Sequence, residues 1–180
     1  ALSTVVDATE NGQATARSLA PNEIISDNFD DILGDDQIQG IALATPAETH
    51  ADLAIQAMRS GKDVFVEKPM ALSISDAEAM QKVANETGRI LMAGHLLEYH
   101  PAVLKLHELI DSGELGKINY VYSNRLNFGK VRTEENALWS FAPHDVAVIL
   151  RLMGHAPVEV SACGGSYLTN GIADTTLSNL

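Results

Sequence analysis

The run GIALATPAETHADLAIQAMRSGKDVFVEKPMAL, residues 40–72, holds two short apolar segments separated by a stretch of helix length with its own start and stop signals. GIALA (40–44) is apolar throughout, and DVFVE (63–67) places Val, Phe and Val between two acids. Strands apolar on both faces belong to parallel sheets covered on each side, because a half-exposed strand alternates polar with apolar instead. Between them, Thr45 reads as an N-cap, Pro46 as the first helical residue and Glu48 as the partner in a capping box. Gly61 reads as the helix stop. Strand, helix and strand in this order make one βαβ unit, and its crossover fixes the fold class.

The same grammar extends in both directions. Upstream, LSTVVDA (2–8) predicts a strand, Thr9 to Ala20 a helix weakened by Gly12, EIIS (23–26) a second strand, and NFDDIL (28–33) a short helix capped by Asp27. Downstream, SISDAEAMQKVANETG (73–88) predicts a helix with Ser75 and Glu78 as capping box, and RILMAG (89–94) a further strand. Five strands separated by helices predict a doubly wound parallel sheet. After His95 the pattern changes. PAVLKLHELIDSG (101–113) and APHDVAVILRLMG (142–154) read as helices. KINYVYSNRLNFG (117–129), VEVSACGGSYL (158–168) and IADTTLSNL (172–180) read as strands, the last two joined by a turn near Asn170 and Gly171. This predicts a second, α+β domain with an open, largely antiparallel sheet. The domains are expected at 1–95 and 96–180. Gly164-Gly165 reads as a bulge in its strand rather than a phosphate loop.

Lys and Arg number 12 against 24 Asp and Glu, for a net charge of −12. That balance argues against nucleic acid or an anionic membrane surface as partner. The single Cys163 rules out an internal disulfide framework and fits a reducing, cytoplasmic location. No apolar run has the length of a membrane span, and no leader pattern is expected.

In open α/β sheets, ligands bind beyond the carboxyl ends of the strands. Those ends are Asp7, Thr45-Pro46, Glu67-Lys68-Pro69 and Gly94-His95, and the topology puts them along one edge. Asp7 either caps a helix or, in a dinucleotide fold, accepts from the adenosine ribose hydroxyls and repels a 2′-phosphate. Lys68 is either an ion-pair partner of Glu67 or a group that holds a substrate oxygen. His144, expected at a helix start after Pro143, reads as a packed or capping residue or as a base kept neutral by the helix dipole. His95, Tyr99 and His100 follow the last strand; their spacing, with His107, matches no metal-ligand pattern, so no metal is expected. Arg125, Asn127, Lys130 and Arg132 form either a solvated strand face or a site for an anionic substrate group. Trp139 reads as a core residue or a stacking platform.

These residues bring the chain to a known family. The run 40–72, with TP…H and EKP at this spacing, resembles the signature of the Gfo/Idh/MocA oxidoreductases, and the resemblance runs in order along essentially the whole chain. It implies an N-terminal Rossmann domain, an open-sheet C-terminal domain, and oxidation or reduction of sugars, inositols or nucleotide sugars with NAD or NADP. Position by position, it implies that Asp7 reads the adenosine ribose. Thr45, Pro46 and His50 would lie beside the nicotinamide half of the cofactor. Glu67 would lie near the nicotinamide ribose, and Lys68 would meet the reacting hydroxyl before an often cis Lys68–Pro69 bond. His95 to Pro101 would cross into the second domain and touch substrate, and His144 would be the catalytic base.

Two departures accompany the resemblance. Many members carry Asp where this chain has Ser140, which cannot supply a negative charge to orient His144. The family's first strand and Gly-rich loop, and the remainder of its C-terminal sheet, have no counterpart in these 180 residues. The 180 residues alone are therefore expected to bind NAD poorly. The WSFAPHD form looks most like a branch acting on nucleotide-linked amino sugars such as UDP-N-acetylglucosamine. The reading is an NAD-dependent dehydrogenase of a sugar or nucleotide-sugar hydroxyl, NADP being disfavoured by Asp7, and a homo-oligomer through its open sheet when full length. The alternatives are a non-catalytic nucleotide-binding sensor, to which Ser140 gives room, and a structural subunit on the same fold.

Overall fold

The computed structural model describes residues 1–126, 131 and 136–180, arranged in two compact units, Ala1–Gly94 and His95–Leu180. Asn127, Lys130 and Arg132 lie outside the described residues.

The first unit alternates β1 (Thr4–Val6), α1 (Glu10–Leu19), β2 (Ile24–Ser26), α2 (Asp30–Leu33), β3 (Gly40–Leu43), α3 (His50–Arg59), β4 (Asp63–Val66), α4 (Ile74–Thr87) and β5 (Leu91–Ala93). Every strand pair is parallel, as the apolar strands predicted. The strands form two ladders, β1–β2 and β3–β4–β5, rather than one continuous sheet. The core lies under the second ladder, where Ala54, Ala57, Met58, Val66 and Met80 are fully buried beside Leu43, Val64 and Val83. Burial of Met58 and of Met80 stabilises the unit by about 1.5–3 kcal/mol each.

Three local starts differ from the sequence expectation. Pro46 is extended (φ −56°, ψ 140°), Ala47–Thr49 forms a 3-10 turn, and the α-helix begins only at His50. The Thr49 hydroxyl explains this: its oxygen lies within hydrogen-bond distance of both the Pro46 carbonyl, 2.8 Å, and Thr45 Oγ1, 2.7 Å, giving the chain a local turn instead of a capping box. In α4 the cap is Ser73, whose Oγ accepts from Asp76 N–H at 3.0 Å, not Ser75. At α2 the side chain that accepts a first-turn N–H is Asn28, toward Asp30, not Asp27.

The second unit contains a 3-10 turn (Leu96–Tyr99), α5 (Pro101–Asp111), α6 (Ala137–Met153) and the antiparallel pair β6 (Ser161–Gly165) and β7 (Thr175–Asn179). Gly164 and Gly165 pair regularly with Thr176 and Thr175, so the expected bulge is absent. Gly171 turns the chain with φ +79°, and Asp174 accepts the N–H groups of Tyr167 and Leu168. Residues 117–126, read as most of a strand, carry no strand, and Tyr120 and Tyr122 are exposed. Alternation alone does not make a strand; a hydrogen-bonded neighbour does, and among the described residues this segment has none.

Helix α6 starts well before the expected Ala142. Asn136 Oδ1 accepts from Trp139 N–H at 2.8 Å, and Pro143 lies inside the helix. His144 therefore stands more than a full turn from the N-terminus, where the dipole's effect has faded. The dipole argument for a neutral His144 does not hold.

Candidate functional site

The carboxyl ends of β3, β4 and β5 are held level by their ladders. Leu43, Val66 and Ala93 stand in register, Glu67 N–H donates to the Leu43 carbonyl at 2.9 Å, and Gly94 N–H to the Val66 carbonyl at 2.8 Å. The Glu67 carboxylate turns over Gly94: a β-carbon on Gly94 would lie 3.1 Å from Glu67 Oε2. The same oxygen accepts Lys68 N–H at 3.2 Å. Glu67 is thus directed by its own strand end, and the Lys68–Pro69 peptide bond that follows is cis.

His50 ties this turn to its neighbour. One ring nitrogen, Nδ1, lies 2.9 Å from the Pro69 carbonyl, and Nε2 lies 2.8 Å from the Thr45 carbonyl. Both partners are acceptors. The side chain is 1% exposed. Both nitrogens face backbone carbonyls and the ring is inside. His50 positions the loop that carries Thr45 and Pro46 against the loop that carries Lys68. Its burial was not visible in the sequence, although its place one helical start after TP was the available signal.

At the other ladder, Asp7 follows β1. Thr9 donates to its Oδ1 twice, from the backbone at 2.8 Å and from the hydroxyl at 2.7 Å. The Thr9 hydroxyl, and then its N–H, hold the Asp7 carboxyl below its usual range. An exposed carboxylate fixed at a strand end fits the diol of an adenosine ribose. Asp7 does not cap α1 itself; Thr9 does, accepting from Gly12 N–H at 3.0 Å.

The second unit holds the remaining candidates. His100 caps α5, its Nδ1 accepting from Ala102 N–H at 3.2 Å. Tyr99 and Trp139 are exposed. His95 Nδ1 is buried with no hydrogen-bond partner among the described residues. Arg125 Nε donates to Asp145 Oδ2 at 2.6 Å, while Ser123 donates to Oδ1 at 3.0 Å, a brace between residues 123–125 and α6. Ser140 and His144 are one turn apart on α6, and Ser140 is 3% exposed. Arg151 and Glu98 form a further ion pair at 2.8 Å, unforeseen because the partners are far apart in sequence. Among the described residues no helix is long and apolar enough to cross a membrane, and no His, Cys, Asp or Glu group is placed to hold a metal ion.

Comparison with known proteins agrees with this geometry. Residues 1–95 match the family described as "Oxidoreductase family, NAD-binding Rossmann fold" (GFO_IDH_MocA). A 2,7-anhydro-N-acetylneuraminate hydratase of Mediterraneibacter gnavus is 31% identical over 173 residues, 91% of this chain and 46% of that protein. A UDP-N-acetylglucosamine 3-dehydrogenase of Acidithiobacillus ferrooxidans is 30% identical over 135 residues, 74% of this chain and 42% of that protein. The crystal structure of apo scyllo-inositol dehydrogenase from Lactobacillus casei superposes with TM-score 0.81 at 19% identity, over 98% of this chain and 55% of that one, a likeness of fold. The chain spans less than half the length of these two curated relatives. It belongs to the Gfo/Idh/MocA family of oxidoreductases, whose first domain is an NAD-binding Rossmann fold.

Proposed function

We propose that the protein carrying this chain is an NAD-dependent dehydrogenase acting on a CH–OH carbon of a sugar or nucleotide sugar. The observation that carries the proposal is the strand-end constellation. Glu67, Lys68 and Pro69 leave β4 at the edge where such sheets bind ligands, and His50 fastens them to Thr45. A lysine anchored there is suited to hold a substrate hydroxyl and stabilise negative charge on its oxygen. Asp7 would hold the adenosine ribose, favouring NAD over NADP, with Thr45, Pro46, Glu67 and Gly94-His95 nearer the nicotinamide end. When bound, NAD supplies the acceptor for the hydride leaving the hydroxyl-bearing carbon. His144 takes the hydroxyl proton, and Lys68 steadies the oxygen as it becomes a carbonyl. Tyr99, His100 and Trp139 are the further substrate-contact residues in this reading.

The nucleotide-sugar form of this reading draws on the WSFAPHD segment and on the relative named as a UDP-N-acetylglucosamine 3-dehydrogenase. A reducing, cytoplasmic location fits the exposed free thiol of Cys163. Assembly into a homo-oligomer fits the exposed apolar side chains Tyr120, Tyr122, Val158 and Leu177. A sensor that binds the cofactor without turnover is the second reading, favoured by the buried Ser140 in place of an acid.

The test is to incubate the intact protein with NAD and a panel of UDP-N-acetylhexosamines, free hexoses and inositols, following NADH absorbance. NADH formation with at least one panel member is expected. NAD binding without reduction of NAD by any of them favours the sensor, and absence of NAD binding refutes both.

A further inference from the structure

The first turn of α1 contains a glycine, where alanine would form helix better. The structure places something against its bare Cα. A β-carbon built on Gly12 would overlap the Asp7 carboxylate, meeting Cγ and both oxygens, at distances no side chain tolerates. The carboxylate is drawn there by a closed set of bonds: Thr9 donates twice to Asp7 Oδ1, and Gly12 N–H donates in turn to Thr9 Oγ1. Among the described residues no donor reaches Oδ2, so that oxygen is left to accept from a ligand hydroxyl.

We propose that Gly12 is a specificity-determining residue: by lacking a side chain it seats the Asp7 carboxylate against the start of α1, in the orientation that accepts a ribose diol and repels a 2′-phosphate. The inference rests on the reading of Asp7 as the ribose contact. A methyl group at position 12 need not disturb the fold, because the atoms it meets are the end of a short, exposed side chain that can swing away. The displaced carboxylate leaves its Thr9 bonds and the ribose together. Helix α1 gains from alanine while the lost Thr9 bonds give stability back, so stability changes little while discrimination between the two cofactors is lost. A residue that merely packs would lower both.

The experiment uses the intact protein and three forms: wild type, Gly12→Ala and Asp7→Asn. Dissociation constants for NAD and NADP are measured by calorimetry, and unfolding midpoints in urea. The expected result is that Gly12→Ala unfolds close to the wild-type midpoint, binds NAD about tenfold or more weakly, and approaches the NAD-to-NADP ratio of Asp7→Asn. If Asp7→Asn loses the preference while Gly12→Ala keeps the wild-type ratio, the Gly12 assignment is overturned and the Asp7 reading stands. If Asp7→Asn itself keeps the ratio, the Asp7 reading fails and takes the Gly12 assignment with it. A midpoint for Gly12→Ala lowered as far as a core substitution lowers it assigns the glycine to packing and also overturns the proposal.

Discussion

Replacing His50 with alanine removes a ring that is 1% exposed and holds two carbonyl oxygens, Thr45 at 2.8 Å and Pro69 at 2.9 Å. Both bonds are part-buried, and each carbonyl left without its donor costs at most about 1–3 kcal/mol. The emptied ring volume adds a further loss, since large-to-small substitutions in a core cost about 2–5 kcal/mol in all. These terms overlap, and the expected destabilisation is about 3–6 kcal/mol. Glutamine gives an internal control. Its amide nitrogen donates to one of the two carbonyls and its oxygen donates to neither, so His50→Gln should lose roughly half as much, about 1–3 kcal/mol. Urea denaturation followed by circular dichroism reads both, and an unchanged slope confirms that stability alone has moved. A loss below about 1 kcal/mol for His50→Ala, or equal losses for the two variants, would refute the claim that His50 staples the two loops through both nitrogens.

Two other outcomes follow from local geometry. Ser73→Ala should cost about 1 kcal/mol by removing the α4 cap, whereas Ser75→Ala should change stability by less than about 0.5 kcal/mol; urea midpoints of the two variants decide which serine caps. Thr9→Val removes the hydroxyl bond that is the main cause of the lowered Asp7 carboxyl, so a carbon NMR titration of Asp7 should move upward toward the ordinary carboxylate value. The sign follows from linkage: a carboxyl lowered by folding stabilises the fold above its unfolded value and loses that stabilisation as pH falls through the folded value. Thr9→Val should weaken this acid-side dependence, and an unmoved titration would show that the Thr9 hydroxyl bond does not govern Asp7.

What could be read in the sequence, and what could not, divides by the range of the interaction. The apolar runs at 40–44 and 63–67 became the parallel pair β3 and β4, although their burial alternates: Ile41, Leu43, Val64 and Val66 are buried while Gly40 and Ala42 are exposed. Helix caps were misplaced where several hydroxyls compete within a few residues. Ser73 wins over Ser75 because its backbone is extended, with φ −135° and ψ 156°, as a cap requires. Pro143 drew the expected start of α6 toward itself, since proline favours a first helical position, but Asn136 had already captured the N-terminus. The strand expected from 117 rested on alternation, and alternation carries no information about a hydrogen-bonded neighbour. Arg125 looked available because its partner Asp145 lies twenty residues away in sequence. Lys68 was found by its place after a strand, whereas the roles of His50 and Gly12 depend on side chains folded against them and needed coordinates.

The most direct test of the central claim, that the strand-end lysine holds the reacting hydroxyl, is the turnover of a Lys68→Met variant of the intact protein with its best substrate. NAD affinity should stay close to wild type while kcat falls by about a hundredfold or more. Full turnover by Lys68→Met would contradict the account.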